Sequence, residues 1–332
     1  MTGGAGYVGA VLVPELLADG AKVTVLDRFF FGRDSLRGVA GEPSLRLVEG
    51  DIRDVALVDQ LLDGGGFDAV VHLAAISNDP SSELDATLTH AVNKAASDHL
   101  MRSARHAGVE RFVYASSASV YGIKDEPEVT EELPLAPITL YARYKAEGEE
   151  TLNALVGPSF CGVAVRAATV CGWSPRLRLD LTVNILTEHA ATRGALRVFG
   201  GSQLRPNVHL LDLTAFYRRL LTAPAAVVSG RAFNVSLSNA SILELAEMVR
   251  AEVAPGAPIE VVPTRDSRSY RLSADRARRD LGFEPAHSLV TAVRELNLAL
   301  RDGRVPDPGA PLYRNIEWMK RNPESWRRVN PS

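Results

Sequence analysis

Through the first 170 residues, short apolar runs alternate with longer stretches in which apolar residues recur every three or four positions. Lys22–Asp27 (KVTVLD), Leu45–Gly50, Asp68–Ala74 (DAVVHLA), Arg111–Ser116 (RFVYAS) and Gly162–Arg166 are rich in Val, Leu and aromatics and predict strands. Tyr7–Ala18, Val55–Leu62, Leu84–Ala107 and Tyr141–Leu155 predict helices between them. Near-continuous apolar strands separated by helices imply a parallel sheet covered on both faces. Right-handed crossovers then make the expected fold α/β and doubly wound.

The second half is less regular. Asn184–Gly194, Leu211–Thr222 and Ser241–Val253 predict helices, the last fixed at its start by Ser241 and Glu244 in capping-box spacing. Ala232–Val235 and Ile259–Val262 predict strands, and Pro and Gly gather around 172–176, 200–206 and 255–263 as loops over a cleft. The expected division is a doubly wound α/β domain over 1–170, with returns near 207–236, and a smaller mixed region over 171–332. The tail from Tyr313, with Trp318 and Trp326, reads as a docked terminal segment.

Charge and composition exclude classes rather than choose one. Lys plus Arg is 37 against 40 for Asp plus Glu, a net charge of −3, which leaves no footprint for nucleic acid or an anionic membrane. No apolar run approaches the length needed to span a bilayer, and no secretory signal opens the chain, so cytoplasm is the expected location. Cys161 and Cys171 are too few for a disulfide scaffold, lack metal-ligand spacing and read as small core residues; no metal is expected.

Thr2-Gly3-Gly4-Ala5-Gly6-Tyr7-Val8-Gly9 carries glycines at three-residue spacing. Gly3 permits a tight turn, Gly6 lets backbone approach a pyrophosphate, and Gly9 lets the following helix pack on the sheet. The N–H groups around Tyr7 and Val8 then face the phosphates with the positive end of the helix dipole. The spacing alone is weak, but Asp27 ends the next strand, where a carboxylate accepts from both ribose hydroxyls of a dinucleotide. That carboxylate repels a 2′-phosphate, so NAD is expected rather than NADP, with Arg28 and Arg33 softening the preference. Asp51 and Ile52 end the following strand and are placed to face the adenine. A Rossmann-type sheet is the fold this implies. Its glycine loop follows a strand, yet here the loop begins at residue 2; the first, central strand is missing from the sequence and residues are expected to precede Met1.

Tyr141 and Lys145 stand four residues apart, on one helix face. A phenol is a poor base near neutrality, and an adjacent ammonium with the nicotinamide's charge is expected to lower its pKa. The stretch Ser116–Gly122 leaves a strand on the cleft side, where a hydroxyl can share a proton with Tyr141. Glycine loop, acid and proton-transfer pair fall in the order one mechanism requires.

With these motifs the sequence resembles the extended short-chain dehydrogenase/reductase family, especially its nucleotide-sugar epimerases and dehydratases. The motifs are TGGAGYVG at 2–9, Asp27, GDIRD at 50–54, HLAA at 72–75, SSASVYG at 116–122, YARYK at 141–145 and RPNVHLLD at 205–212. The resemblance implies Ser117 as catalytic hydroxyl, Tyr141 as base and Lys145 as its partner. It places Leu73, Ala74 and Ala75 on the cofactor, and Asn93 with them as support for the active-site backbone. Arg205 and Arg265 would meet the diphosphate of a nucleotide sugar, and Ser77, Asn78 and Ser119 its sugar, although a surface role for either arginine stays open. A homodimer through Leu84–Ala107 and Tyr141–Leu155 is also implied.

Two departures narrow the chemistry. The 4,6-dehydratases of the family carry Asp-Glu after the catalytic hydroxyl, and here Ala118 and Ser119 stand there. The family's asparagine after the next strand is absent from Arg166–Trp173. The expected activity is thus that of an NAD-dependent nucleotide-sugar 4-epimerase acting through a transient 4-keto sugar. A 4-ketoreductase, a dehydrogenase and a uronate decarboxylase share the same first step and stay open. A non-catalytic dinucleotide sensor on this fold has no use for Ser117, Tyr141 and Lys145 together.

Overall fold

The computed structural model describes residues 1–264 and 269–329. Strands β1 (Val23–Asp27), β2 (Leu45–Glu49), β3 (Ala69–His72), β4 (Arg111–Ala115) and β5 (Cys161–Ala167) fall within a residue or two of the apolar runs that predict them. β1 pairs with β2, while β3, β4 and β5 pair in sequence, all parallel. The two groups are joined at the centre by the first residues of the chain. Thr2 bridges Leu26 of β1 and His72 of β3, its N–H donating to Val71 O at 3.0 Å and its carbonyl accepting from Leu73 N at 3.1 Å. The central position, expected to be a full strand, is therefore held by residues 1–3.

Three further strands, β6 (Thr169–Cys171), β7 (Leu196–Phe199) and β8 (Leu204–His209), precede β9 (Arg231–Val235), which adds to β5 as the last strand of the main sheet. β8 lies between β6 and β10 (Ser238–Ser241), and β7 pairs with β11 (Ile259–Val262). One apolar core fills each face of the main sheet, and a third joins β7 to the helices Thr182–Arg193, Ile242–Val253 and Leu289–Arg301.

Local chemistry sets the helix starts that matter for the cleft. Thr139 caps Leu140–Leu155, its hydroxyl accepting from Ala142 N at 3.2 Å, and Asp54 caps Val55–Gly65 through Leu57 N at 3.1 Å. Ser241 and Glu244 form the expected capping box. The run expected as one helix over 84–107 is broken instead into Ala86–His90, a π-helical turn at Ala91–Ala96 and Ser97–His106. Such turns re-aim a side chain, here Asn93. The terminal segment docks through the helices Asn315–Arg321 and Pro323–Arg327, with Trp318 Nε1 donating to Phe30 O at 3.0 Å. Among the described residues, no helix is long and apolar enough to cross a membrane.

Candidate active site

A cleft of about 600 Å³ opens along the C-terminal ends of the main-sheet strands, where α/β sheets bind ligands. At one end lies the glycine loop. Gly3 has φ +71°, and a Cβ there would stand 2.6 Å from Ala74 N, so only glycine fits between β1 and β3. A Cβ on Gly9 would come within 2.5 Å of Gly4, whereas one on Gly6 meets only Gly3 O at 3.2 Å and would project into the space left for a ligand. Tyr7 ties this loop to the second half of the chain. Its hydroxyl donates to Gly172 O at 2.7 Å and accepts from Asn184 Nδ2 at 3.1 Å.

Asp27 is fixed by two backbone donors, Ala5 N at 2.9 Å and Phe29 N at 2.8 Å, and burial raises its pKa despite them. Asp51 is almost wholly buried and pairs with both Arg28 (2.9 Å) and Arg53 (2.7 Å). Both guanidiniums also hold the terminal segment by its carbonyls. Arg28 donates to Ser325 O (2.7 Å) and Trp326 O (2.8 Å), Arg53 to Arg327 O (3.0 Å) and Arg328 O (2.8 Å). Trp326 and Met319 thereby join Asp51 and Ile52 in the cleft wall. Arg28 is thus already engaged by Asp51 and the tail.

At the other end, Ser117, Tyr141 and Lys145 converge. The Ser119 hydroxyl and N–H both donate to Ser117 Oγ, at 3.0 and 3.2 Å, and Ser117 lies close enough to Tyr141 to favour its ionised form. Lys145 Nζ lies 5.8 Å from the Tyr141 ring centroid and 4.8 Å from that of Tyr114. The expected depression of the phenol pKa is not what the cleft's own side chains produce. Burial pushes Tyr141 up to about 12, helped by Asp79, while Ser117 and Arg178 oppose. Burial likewise pulls the Lys145 ammonium down to about 7, with Glu149 opposing. Desolvation outweighs the neighbouring charge, so a poised phenolate here needs further positive charge, such as an oxidised nicotinamide.

Beneath this pair the helix Leu140–Leu155 is anchored by a buried polar chain. Arg166 grips Glu149 through Nη2 at 2.6 Å and Nε at 3.0 Å, and donates to the Tyr121 hydroxyl at 2.7 Å, which donates to Asn234 Oδ1 at 2.7 Å.

Leu73, Ala74, Ala75, Ser77, Asn78, Val8 and Arg205 also line the cleft. Asn78 adopts φ +72° and caps the short helix after it, its Nδ2 reaching Asp180 at 3.4 Å. Asn93 does not itself line the cleft but supports its backbone. Its amide is spent on Ile76, accepting from the N–H at 2.8 Å and donating to the carbonyl at 2.9 Å, which fixes the loop carrying Ser77 and Asn78. Arg265 lies outside the described residues. Sequence reasoning missed Arg176 and Arg178, which reach the cleft wall from one loop, and Asp180, which pairs with Arg178; their alternate spacing in SPRLRLD was the only sign. It missed Asn315 as well, since nothing local marks a tail residue for a distant cleft.

The arrangement can hold a dinucleotide by backbone N–H groups and Asp27 and can move a proton at Ser117 and Tyr141. Residues 1–236 match the family model described as NAD dependent epimerase/dehydratase family. The chain is 29% identical to the UDP-glucose 4-epimerase of Corynebacterium glutamicum over 89% of its length and 93% of that protein. It is 30% identical to the dTDP-glucose 4,6-dehydratase of Streptomyces niveus, covering 98% of this chain and 94% of that one. The solved dTDP-glucose 4,6-dehydratase DesIV of Streptomyces venezuelae, with NAD bound, superposes with a TM-score of 0.81 at 28% identity over 91% of this chain and 97% of that one. The chain belongs to the NAD dependent epimerase/dehydratase family of the extended short-chain dehydrogenases/reductases, and NAD is its cofactor.

Proposed function

We propose that the protein is a nucleotide-sugar 4-epimerase. The observation that carries this reading is the active-site turn: Ser117 and Tyr141 line the same cleft, and the two positions after Ser117 hold Ala118, buried, and Ser119, whose hydroxyl is spent on Ser117. Neither can act as acid or base for water loss from a sugar, so dehydration lacks the pair it uses elsewhere in the family. NAD, when bound, supplies the two-electron oxidant and reductant for C4 of the sugar. Tyr141 takes the proton of the C4 hydroxyl and later returns it, and Ser117 hydrogen-bonds the same oxygen while it is a carbonyl. Lys145 holds positive charge under the phenolate. The resulting 4-keto sugar must present its other face before Tyr141 gives the proton back.

Asp27, Asp51, Ile52, the glycine loop and residues 73–75 hold the dinucleotide in this reading, and Ser77, Asn78, Ser119 and Arg205 the nucleotide sugar. Residues 1–170 form the cofactor domain and residues 171–332 mostly the substrate region. The family resemblance supports a homodimer paired through Leu84–Ala107 and Tyr141–Leu155, and cytoplasm is the location this reading takes. Incubation of the purified protein with a panel of nucleotide sugars tests the activity. A product of unchanged mass with C4 inverted supports epimerisation. Loss of water, loss of carbon dioxide or a change of two hydrogens each replaces it with another reaction.

A further inference from the structure

The loop from Ser174 to Asp180 brings two arginines, Arg176 and Arg178, to the cleft wall. Arg178 gives its guanidinium to Asp180, Nε to Oδ1 at 2.9 Å and Nη2 to Oδ2 at 3.2 Å. Arg176 has no such partner. Among the described residues no carboxylate lies within ion-pair distance of it, and it donates to two neutral acceptors, Leu177 O at 2.7 Å and Asn315 Oδ1 at 2.5 Å. The residue is 5% exposed, and its guanidinium stacks 3.7 Å from the Phe31 ring centroid. A buried cation without a directly paired carboxylate is costly, and burial with the nearby Arg178 pulls its pKa down to about 9 although Asp180 and Asp27 oppose. Arginine suits such a place, because its planar fork matches phosphate oxygens two at a time.

Its position indicates which anion would meet it. The Ser174 hydroxyl donates to the Tyr7 carbonyl at 2.8 Å, so this loop lies directly against the glycine loop. Arg176 lies near enough to Asp27 to feel its charge, which with the Ser174–Tyr7 contact puts it at the cofactor end of the cleft. Among the described residues, Arg28 at that end is committed to Asp51 and to tail carbonyls, as is Arg53 behind it. The glycine loop offers only backbone dipoles to a group that brings two negative charges.

We propose that Arg176 is the counter-charge for the diphosphate of the bound dinucleotide, its guanidinium aimed by Asn315 and by the Phe31 ring. The proposal rests on the cofactor site and is independent of the net reaction on the sugar. It also gives the terminal segment a role in the cleft, since Asn315 further donates to Ser77 Oγ at 3.0 Å and receives its own place from Asp180 at 2.9 Å.

The test is a binding titration of the full chain, freed of cofactor, with adenosine, ADP-ribose and NAD, and separately with a uridine or thymidine diphosphate for the substrate side. Arg176→Met is expected to weaken ADP-ribose and NAD by about 10- to 100-fold, the worth of charge-assisted hydrogen bonds, and to leave adenosine and the pyrimidine diphosphates unchanged. Asn315→Ala, which frees the guanidinium without removing it, is expected to give the same pattern weakened, and serves if the first variant does not fold. Equal losses for adenosine and ADP-ribose would reduce Arg176 to packing and overturn the proposal. No loss for ADP-ribose, or a loss confined to the pyrimidine diphosphates, would also overturn it, the latter by moving Arg176 to the substrate's diphosphate.

Discussion

Arg166 of β5 and Glu149 form a buried bidentate ion pair one helical turn beyond Lys145, joining the helix that carries Tyr141 to the strand beneath it. Their side chains are 8% and 4% exposed, so neither charge is met by water. Glu149 also receives the Ser116 hydroxyl, next to Ser117, and Arg166 reaches Tyr121 in the same turn. The pair therefore fixes the strand end and the helix that must meet at the reacting oxygen.

Breaking this pair from one side strands a buried charge. Glu149→Gln is expected to destabilise the fold by about 3–5 kcal/mol in denaturant unfolding. The double replacement Glu149→Met with Arg166→Met should recover much of that loss. A single variant as stable as the wild type would show the pair to be solvated.

Removing the proton carrier should separate binding from turnover. Tyr141→Phe is expected to lower turnover by about 10²–10⁴-fold, and Ser117→Ala by about 10²–10³-fold, while NAD affinity stays within a few-fold. Steady-state rates beside a cofactor titration check this. Full turnover in Tyr141→Phe would remove the residue from the chemistry.

His72 offers a pH signature unrelated to catalysis. Its ring is buried between the Thr2 hydroxyl at 2.6 Å and the Ser97 hydroxyl at 2.9 Å, and burial pulls its pKa from 6.5 down to about 3. Folded His72 stays neutral while the unfolded side chain takes up a proton below about 6.5, so its contribution is fully present above that pH and is lost on acidification towards 3. Stability should therefore fall between pH 6.5 and 5, above most carboxylate titration, and His72→Gln should flatten that slope. An unchanged slope would assign the acid sensitivity elsewhere.

Arg53 does not line the cleft yet holds the terminal segment. Arg53→Ala removes its donors to Arg327 O and Arg328 O and its pairing with Asp51. Limited proteolysis within 314–328 is expected to quicken about tenfold, with the global unfolding midpoint little changed. Equal cleavage rates would show that Arg28 suffices.

What the sequence made legible was local. The strands of the cofactor sheet, the capping box at Ser241 and the glycine loop each follow from residues within a few positions of one another, and the structure places them as expected. What it hid was distant or disguised. β8 carries Pro206 beside a Gly-rich stretch and reads as loop, yet it pairs on both sides, with β6 and β10. The helical run 84–107 shows no break in its apolar pattern, and its π-helical turn follows the demand that Asn93 meet Ile76. Arg176 owes its surroundings to Phe31 and Asn315, separated from it by more than a hundred residues on either side, so no window of sequence could show it facing a cofactor.

The most direct test of the central claim follows the hydrogen on C4. A nucleotide sugar that the protein converts is labelled with deuterium at C4, and the product is read by NMR and mass. Tyr141 exchanging a proton while C4 loses and regains its own hydrogen predicts a product inverted at C4, with the label still on C4, unchanged mass and no cofactor consumed. Label lost to water, or product formed only in step with added cofactor, would contradict 4-epimerisation.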